Sequence, residues 1–171
     1  MSSITPDLIL AADAAIDLQM HTTFSDGVWT PAQLVDYLMR EGFALAAITD
    51  HERIDMVDEL QRIAAERGFP LLVAAEMSAA WRGEPTDTLC FGFDPQHPAL
   101  RAVAQEIAQR QGENTRKVWE YVRAQGKPAL AESELERILT KPSAQQPKDL
   151  FAALVDAMQG DASAADAAMT A

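Results

Sequence analysis

The sequence has a single cysteine, no apolar run longer than a strand, and no basic residue before Arg40. A lone cysteine, Cys90, excludes a disulfide framework within the chain and suits a reducing compartment. The lack of lysine and arginine in the N-terminal stretch argues against a secretory signal, and the short apolar runs argue against a transmembrane helix. We therefore expect a cytoplasmic protein with no membrane partner.

Positive charge is also scarce, since 26 acidic residues face 14 basic ones and the formal net charge is −12. This surplus argues against a nucleic-acid-binding patch, and a phosphorylated substrate would need a local metal or basic group to offset it. Neither a glycine-rich phosphate loop nor a Gly-x-Ser-x-Gly elbow is present. A chain of 171 residues that is 48% hydrophobic can still bury a sizeable core.

Short apolar segments alternate with helical patterns in the first half of the chain. The pattern predicts strands from residue 14 to His21, over residues 43–48, and from residue 69 to Glu76. It predicts one helix from the cap Thr30-Pro31-Ala32-Gln33 to Gly42, and a second that ends at Gly68. Strands that alternate with helices predict right-handed crossovers and a parallel sheet.

The second half of the chain is predicted to be mainly helical. Residues 81–85 are predicted as a loop, residues 87–93 as a strand and residues 98–125 as helical. Gly112 and Asn114 leave open whether one bent helix or two fill that stretch. Weaker helices are predicted at 132–139 and 147–158. We expect a lead-in over residues 1–13, one α/β domain over 14–159, and a disordered tail over 160–171, which are small and polar.

Metal-competent side chains follow each of the three predicted strands. His21 and Asp26 follow the first, His51 the second, and Glu76 ends the third. Parallel α/β sheets build their sites at such carboxyl ends of strands. Imidazole and carboxylate together suit zinc, manganese or iron, whereas calcium prefers oxygen alone. One ion, or two sharing a carboxylate, would lower the pKa of a bound water and neutralise charge on a phosphoryl group.

Each residue has an ordinary structural explanation when it is taken alone. Asp26-Gly27 is a common turn pair, and Thr49-Asp50 is a suitable cap for the next helix. Asp50 is equally suited to orient an imidazole that ligates the metal, without binding the metal itself. The joint pattern favours a metal site, because all of the histidines except His97 fall at these strand ends.

Four segments in order carry a family resemblance: DLQMHTTFSDG, AAITDH, LLVAAEMSA and TLCFGFDP. They resemble the polymerase and histidinol phosphatase (PHP) family across residues 14–125. The resemblance implies a metal-dependent phosphoesterase on a distorted (β/α)7 TIM-like barrel, with two or three manganese, zinc or iron ions. It assigns ligand roles to four residues: His21, Asp26, His51 and Glu76.

The sequence departs from the family pattern at three points. Gln19 stands where the family usually has its first histidine, and an amide oxygen ligates a metal more weakly than imidazole. Asp87 stands where another histidine is usual, although a carboxylate can still bind metal. The chain also ends before the family's later histidine and terminal Asp-x-His, while a complete barrel needs about 250 residues. We therefore expect an α/β fold that forms a partial barrel, with parallel strands and a helical C-terminal part.

The resemblance leaves two functional hypotheses open. The first is a phosphoesterase that hydrolyses a small phosphate ester or nucleotide through metal-activated water, with Arg82 and Arg116 as candidate substrate-binding residues. The alternative is a truncated, catalytically silent PHP domain that serves as a metal-binding or protein-interaction module. An incomplete barrel exposes strand edges and apolar faces, so we also expect a homo-oligomer that covers the open edge.

Overall fold

A computed structural model of the chain describes residues 8–125 and 130–158. The chain divides into two units, Met1–Ile107 and Ala108–Ala171. The predicted tail and the first seven residues of the predicted lead-in lie outside the described residues. Among the residues that are described, no helix is both long enough and apolar enough to cross a membrane.

The first unit begins with a three-stranded parallel sheet. Its strands are β1 (Ile16–Asp17), β2 (Leu45–Ala47) and β3 (Leu71–Leu72), in the order β1-β2-β3. Two helices connect them, α1 (Pro31–Arg40) and α2 (Val57–Glu66), the second after a 3₁₀ turn at Ile54–Met56. The predicted alternation of parallel strands and helices is confirmed. The strands are shorter than predicted, however, and β1 ends four residues before His21.

Helix α1 begins and ends where its local signals predict. The Thr30 hydroxyl accepts from the Gln33 N–H at 3.3 Å, and the Gln33 side chain accepts from the Thr30 N–H at 2.9 Å. This reciprocal capping box satisfies two N–H groups that the first turn leaves unpaired. The helix stops at Arg40, and Gly42 has a φ of +78°, which side-chain-bearing residues seldom adopt.

The core of the first unit lies between these helices and strands. Both helices bury an apolar side, and each fully buried aliphatic side chain stabilises the fold by roughly 1.5–3 kcal/mol. The buried cluster consists of Leu34, Val35 and Leu38 from α1, Leu60 and Ala64 from α2, and Ala46, Ile48, Phe69 and Leu71 from the sheet and its flanks. This core packs both helices against β2 and β3.

An antiparallel hairpin follows the sheet and corrects two predictions. Strands β4 (Ala74–Trp81) and β5 (Glu84–Phe91) pair along their whole length. The predicted loop at 81–85 is only the two residues Arg82 and Gly83, whose φ angles of 54° and 87° are those of a type I′ turn. The strand predicted at 87–93 therefore starts earlier and runs antiparallel. Glu76 lies inside β4 rather than at a strand end, because β5 supplies a partner that prolongs the strand.

The remainder of the described chain is helical. Helix α3 (Pro98–Ala124) is one helix of 27 residues, so one helix and not two fills this stretch. In the second unit, α4 (Glu132–Leu139) and α5 (Gln146–Ala157) build a core around six buried side chains: Trp119, Val122, Leu135, Ile138, Leu150 and Leu154. An α/β fold with a parallel sheet and helices is thus confirmed. The partial barrel stays a prediction, because the described strands form a sheet and a hairpin.

A candidate metal centre

The loop after β1 folds back on itself and brings Asp26 to His21. Within it, the N–H groups of Ser25 and Gly27 both donate to the Thr22 carbonyl, at 3.1 and 2.9 Å. A Cβ on Gly27 would lie 2.2 Å from the His21 carbonyl oxygen, so only glycine allows this close approach. As a result, Asp26 Oδ1 lies 3.3 Å from His21 Nδ1.

Asp50 fastens this loop to the segment that follows β2. Its carboxylate is buried and accepts three hydrogen bonds: from the Thr22 N–H at 2.7 Å, the Thr22 hydroxyl at 2.6 Å and the Ser25 hydroxyl at 2.7 Å. The hypothesis that Asp50 orients an imidazole finds no support in these contacts. Instead, Asp50 acts on the backbone beside His21, and its effect on the imidazole is indirect.

Glu76, in strand β4, lies beside the His21 side chain. It is only 3% exposed, and it forms an isolated parallel bridge with His51. Its Oε2 lies 3.2 Å from His21 Nε2. The Gln19 amide donates to both carboxylate oxygens of Glu76, at 3.3 and 3.2 Å. The carboxylate therefore touches two side chains of the loop that follows β1.

Two sets of side chains converge around His51. Its ring stacks on that of His21 with 4.8 Å between the centroids and 27° between the planes. In each set, one ligand atom per residue lies within 4.8 Å of the others: His21, Asp26 and His51 in the first, and His51, Glu76 and Asp87 in the second. The structure thus brings together the five predicted histidine and carboxylate ligands, and Gln19 adjoins them through Glu76.

The donor set fits a divalent metal ion. The Nδ1 atoms of His21 and His51 are buried, and neither has a hydrogen-bond partner among residues 8–125 and 130–158. The 3.3 Å approach of Asp26 to His21 Nδ1 falls outside hydrogen-bond geometry. A buried, unsatisfied polar atom costs about 1–3 kcal/mol, and binding a cation removes that cost. Imidazole nitrogens beside carboxylates suit zinc, manganese or iron.

The two candidate substrate-binding arginines make other contacts. Arg82 is at the hairpin tip, six residues beyond Glu76 and hence about 20 Å along the strand, and its guanidinium stacks on the Trp81 ring. Arg116 belongs to the second unit, where it donates to Glu136 at 2.9 Å. This hydrogen bond raises the pKa of Arg116.

Sequence reasoning missed Glu52. This residue is 5% exposed, has a φ of +56°, and accepts a hydrogen bond from the Ser78 N–H at 2.8 Å. In the sequence it resembles an ordinary charged residue beside Arg53 at the start of a helix. Its hydrogen-bond partner Ser78 is 26 residues away along the chain, so no local pattern marks it.

The first comparison is by sequence. No family model matches the chain. The chain is 34% identical over 113 residues to a 3',5'-nucleoside bisphosphate phosphatase of Chromobacterium violaceum. The matched stretch covers 66% of this chain and 40% of the relative. Over 89 residues it is 36% identical to a 5'-3' exoribonuclease of Haemophilus influenzae, covering 52% and 32%. The chain therefore spans less than half the length of these relatives.

Solved structures give a consistent result. A C. violaceum protein described as an amidohydrolase, with bound sulfate and no metal, superposes with a TM-score of 0.69 at 31% identity, covering 84% of this chain and 50% of that one. A Bifidobacterium adolescentis protein described as a metal-dependent phosphoesterase superposes with a TM-score of 0.72 at 26% identity, covering 93% and 56%. The likeness extends over most of the chain and about half of each neighbour.

Proposed function

We propose that the chain, which is related to the PHP family of metal-dependent phosphoesterases, forms a metal-dependent phosphoesterase site. The observation that carries the proposal is the convergence of His21, His51 and Glu76, three residues from distant parts of the sequence, with ligand atoms a few ångströms apart. These three residues are among the four to which the family resemblance assigns ligand roles.

The proposed ligands divide between the two sides of His51. His21 and Asp26 would hold an ion on one side and Glu76 and Asp87 on the other, and His51 is near enough to serve either. Manganese, zinc and iron all suit this set. A bound ion would lower the pKa of a water molecule and offset phosphoryl charge. The buried Asp50 keeps the His21 loop in place for this role.

Gln19 has a different part in this proposal from the ligand role that the sequence suggests. Its amide Nε2 points at the Glu76 carboxylate and donates to both oxygens. Turning the amide by 180° would direct Oε1 at the same two oxygens, which an ionised carboxylate would repel. Gln19 therefore orients Glu76, and it can offer Oε1 to an ion only after the amide turns.

We propose a phosphorylated nucleotide as the substrate. The relatives are named for a nucleoside bisphosphate and for RNA, two kinds of nucleotide phosphate ester. The net charge of −12 favours the smaller substrate, because a long polyanion would meet more repulsion from the protein. RNA ends are the second candidate, and the expected lack of a nucleic-acid patch stays a prediction.

The finer fold and assembly are likewise proposals. We propose that the parallel sheet is part of a distorted (β/α)7 barrel, in keeping with the superposition on the two solved structures. Exposed apolar side chains in the first unit, among them Val28, Trp81 and Phe91, support a homo-oligomer in which a second copy covers them.

The test combines metal binding with catalysis in the full chain. Manganese and zinc binding are measured by calorimetry, and hydrolysis is measured on a nucleoside 3',5'-bisphosphate and on a 5'-phosphorylated RNA oligonucleotide. The double variant His21→Ala/His51→Ala should lose both metal binding and activity. His97→Ala is the matched control, because His97 precedes α3 outside the centre and its two helix-start contacts are made by the backbone.

Three results are decisive. Binding and hydrolysis in the wild type, both lost in the double variant and kept in the control, support the proposal. A folded wild type that binds metal but hydrolyses neither substrate with either metal would leave the metal-binding module as the function. A folded wild type that binds neither metal would overturn the proposed centre.

A further inference from the structure

Glu52 stands where the chain turns away from β4, immediately after His51. Its φ of +56° lies in the left-handed region, which is uncommon for a residue other than glycine. Such backbone persists only where its surroundings fix it. Two hydrogen bonds of Glu52 run to β4, which also carries Glu76.

The hydrogen bonds show what the side chain does. Ser78 is paired with Asp87 of β5, but its N–H donates to Glu52 on the other edge of β4. On that same edge, the backbone carbonyl of Glu76 accepts from the Glu52 N–H at 2.9 Å. The bridge between His51 and Glu76 is parallel. If this parallel pairing continued, the Ser78 N–H would next donate to the backbone carbonyl of Glu52. It donates instead to Glu52 Oε1, at 2.8 Å.

The Glu52 side chain thus takes the place of its own backbone carbonyl. The chain leaves the sheet at Glu52, yet the hydrogen bonding along the edge of β4 continues for one more step. Charge-assisted bonds from a backbone N–H to a carboxylate are shorter and stronger than neutral ones. The carboxylate is nearly fully buried, so water competes little for this bond.

We propose that Glu52 is a positioning residue that holds His51 beside Glu76. The inference rests on the proposed function in one respect, since it takes those two side chains as metal ligands. Glu52 itself forms hydrogen bonds with the backbone of β4. Groups that orient metal ligands in this way typically change metal affinity 10- to 100-fold when they are mutated.

Three substitutions separate the carboxylate from the strained backbone. Glu52→Gln removes the charge but keeps an oxygen that can accept from Ser78. Glu52→Ala removes the acceptor and keeps the strain, whereas Glu52→Gly removes the acceptor and relieves the strain. Glu41→Gln, on an exposed carboxylate after α1, is the control for loss of a negative charge.

The first measurement uses the metal-free protein. The chain has three histidines, so the imidazole resonances of His21, His51 and His97 can be followed by nuclear magnetic resonance, with His97 as the internal reference. Glu52→Ala and Glu52→Gly should both shift or broaden the His51 signals and leave those of His97 in place. Glu52→Gln and Glu41→Gln should leave the His51 signals close to those of the wild type.

The second measurement is the zinc dissociation constant, which should rise roughly 10- to 100-fold in Glu52→Ala and Glu52→Gly and little in Glu52→Gln. Unchanged His51 resonances and zinc affinity in the alanine and glycine variants would overturn the proposal, even if both unfold at lower temperature. If the wild type binds no zinc, the proposed function fails, and the metal-free resonances still decide the positioning role. If Glu52→Ala does not fold, the glycine and glutamine variants decide it.

Discussion

Removing the Asp50 carboxylate should unfasten the loop that carries His21 and Asp26. In Asp50→Ala, the Thr22 N–H and the Thr22 hydroxyl lose their acceptors in a fully buried place. The Ser25 hydroxyl is spared part of the loss, because Asp26 Oδ1 lies 3.2 Å away as a second acceptor. Two donors are therefore left without a partner.

The magnitude follows from these two donors. Each buried donor without a partner costs about 1–3 kcal/mol, so Asp50→Ala should destabilise the first unit by about 3 kcal/mol. Asp50→Asn keeps Oδ1, which accepts two of the three bonds, and requires only that the Thr22 hydroxyl turn to accept from the new amide. It should cost about 1 kcal/mol.

Native-state hydrogen exchange measures the loss of stability of the first unit in both Asp50 variants. The amides of Val35, Ala46 and Ala47 belong to fully buried residues and should report its opening. A loss of about 3 kcal/mol corresponds to exchange roughly 100-fold faster in Asp50→Ala. An exchange rate in Asp50→Ala within a factor of about three of the wild-type rate corresponds to a loss of stability below about 1 kcal/mol. That result would refute the assignment of Asp50 as the residue that holds this loop in place.

Three further predictions concern the loop, the first helix and the assembly. Gly27→Ala should displace the His21 backbone, because the added Cβ would clash with the His21 carbonyl. Zinc affinity, measured by calorimetry, should then fall at least tenfold. An unchanged affinity would contradict the close approach of Gly27 to His21. Thr30→Ala removes the cap that pairs with Gln33 and should cost about 1 kcal/mol in urea unfolding, while Thr30→Ser should cost less. Sedimentation should show a dimer or larger assembly, and a monodisperse monomer would refute the proposed oligomer.

Local signals in the sequence were sufficient for part of the fold. The bounds of α1 follow from Thr30, Gln33 and Gly42, because caps and stops act within a few residues of the helix end. The hairpin could not be predicted in the same way. A type I′ turn usually carries Asn-Gly or Asp-Gly, and Arg82-Gly83 lacks that signal.

The candidate site shows the same division. His21, Asp26, His51 and Glu76 are predictable because each lies at or after the end of an apolar segment. The loops after β1 and β2 of the parallel sheet carry His21, Asp26 and His51, whereas Glu76 comes from β4 and meets His51 through an isolated parallel bridge. Glu52 was not predictable, since its carboxylate accepts from an N–H group of a distant strand.

The two-residue turn at the hairpin tip determines which side chain of β5 stands beside the centre. Successive side chains of a strand point to opposite faces, so adding or removing one residue in the turn moves every side chain of β5 to the opposite face of the hairpin. A shortened or lengthened tip would then present a threonine, Thr86 or Thr88, where Asp87 now faces Ser78. The count of carboxylates around His51 is in this way fixed by the spacing of the chain at Arg82 and Gly83, which themselves contribute no ligand.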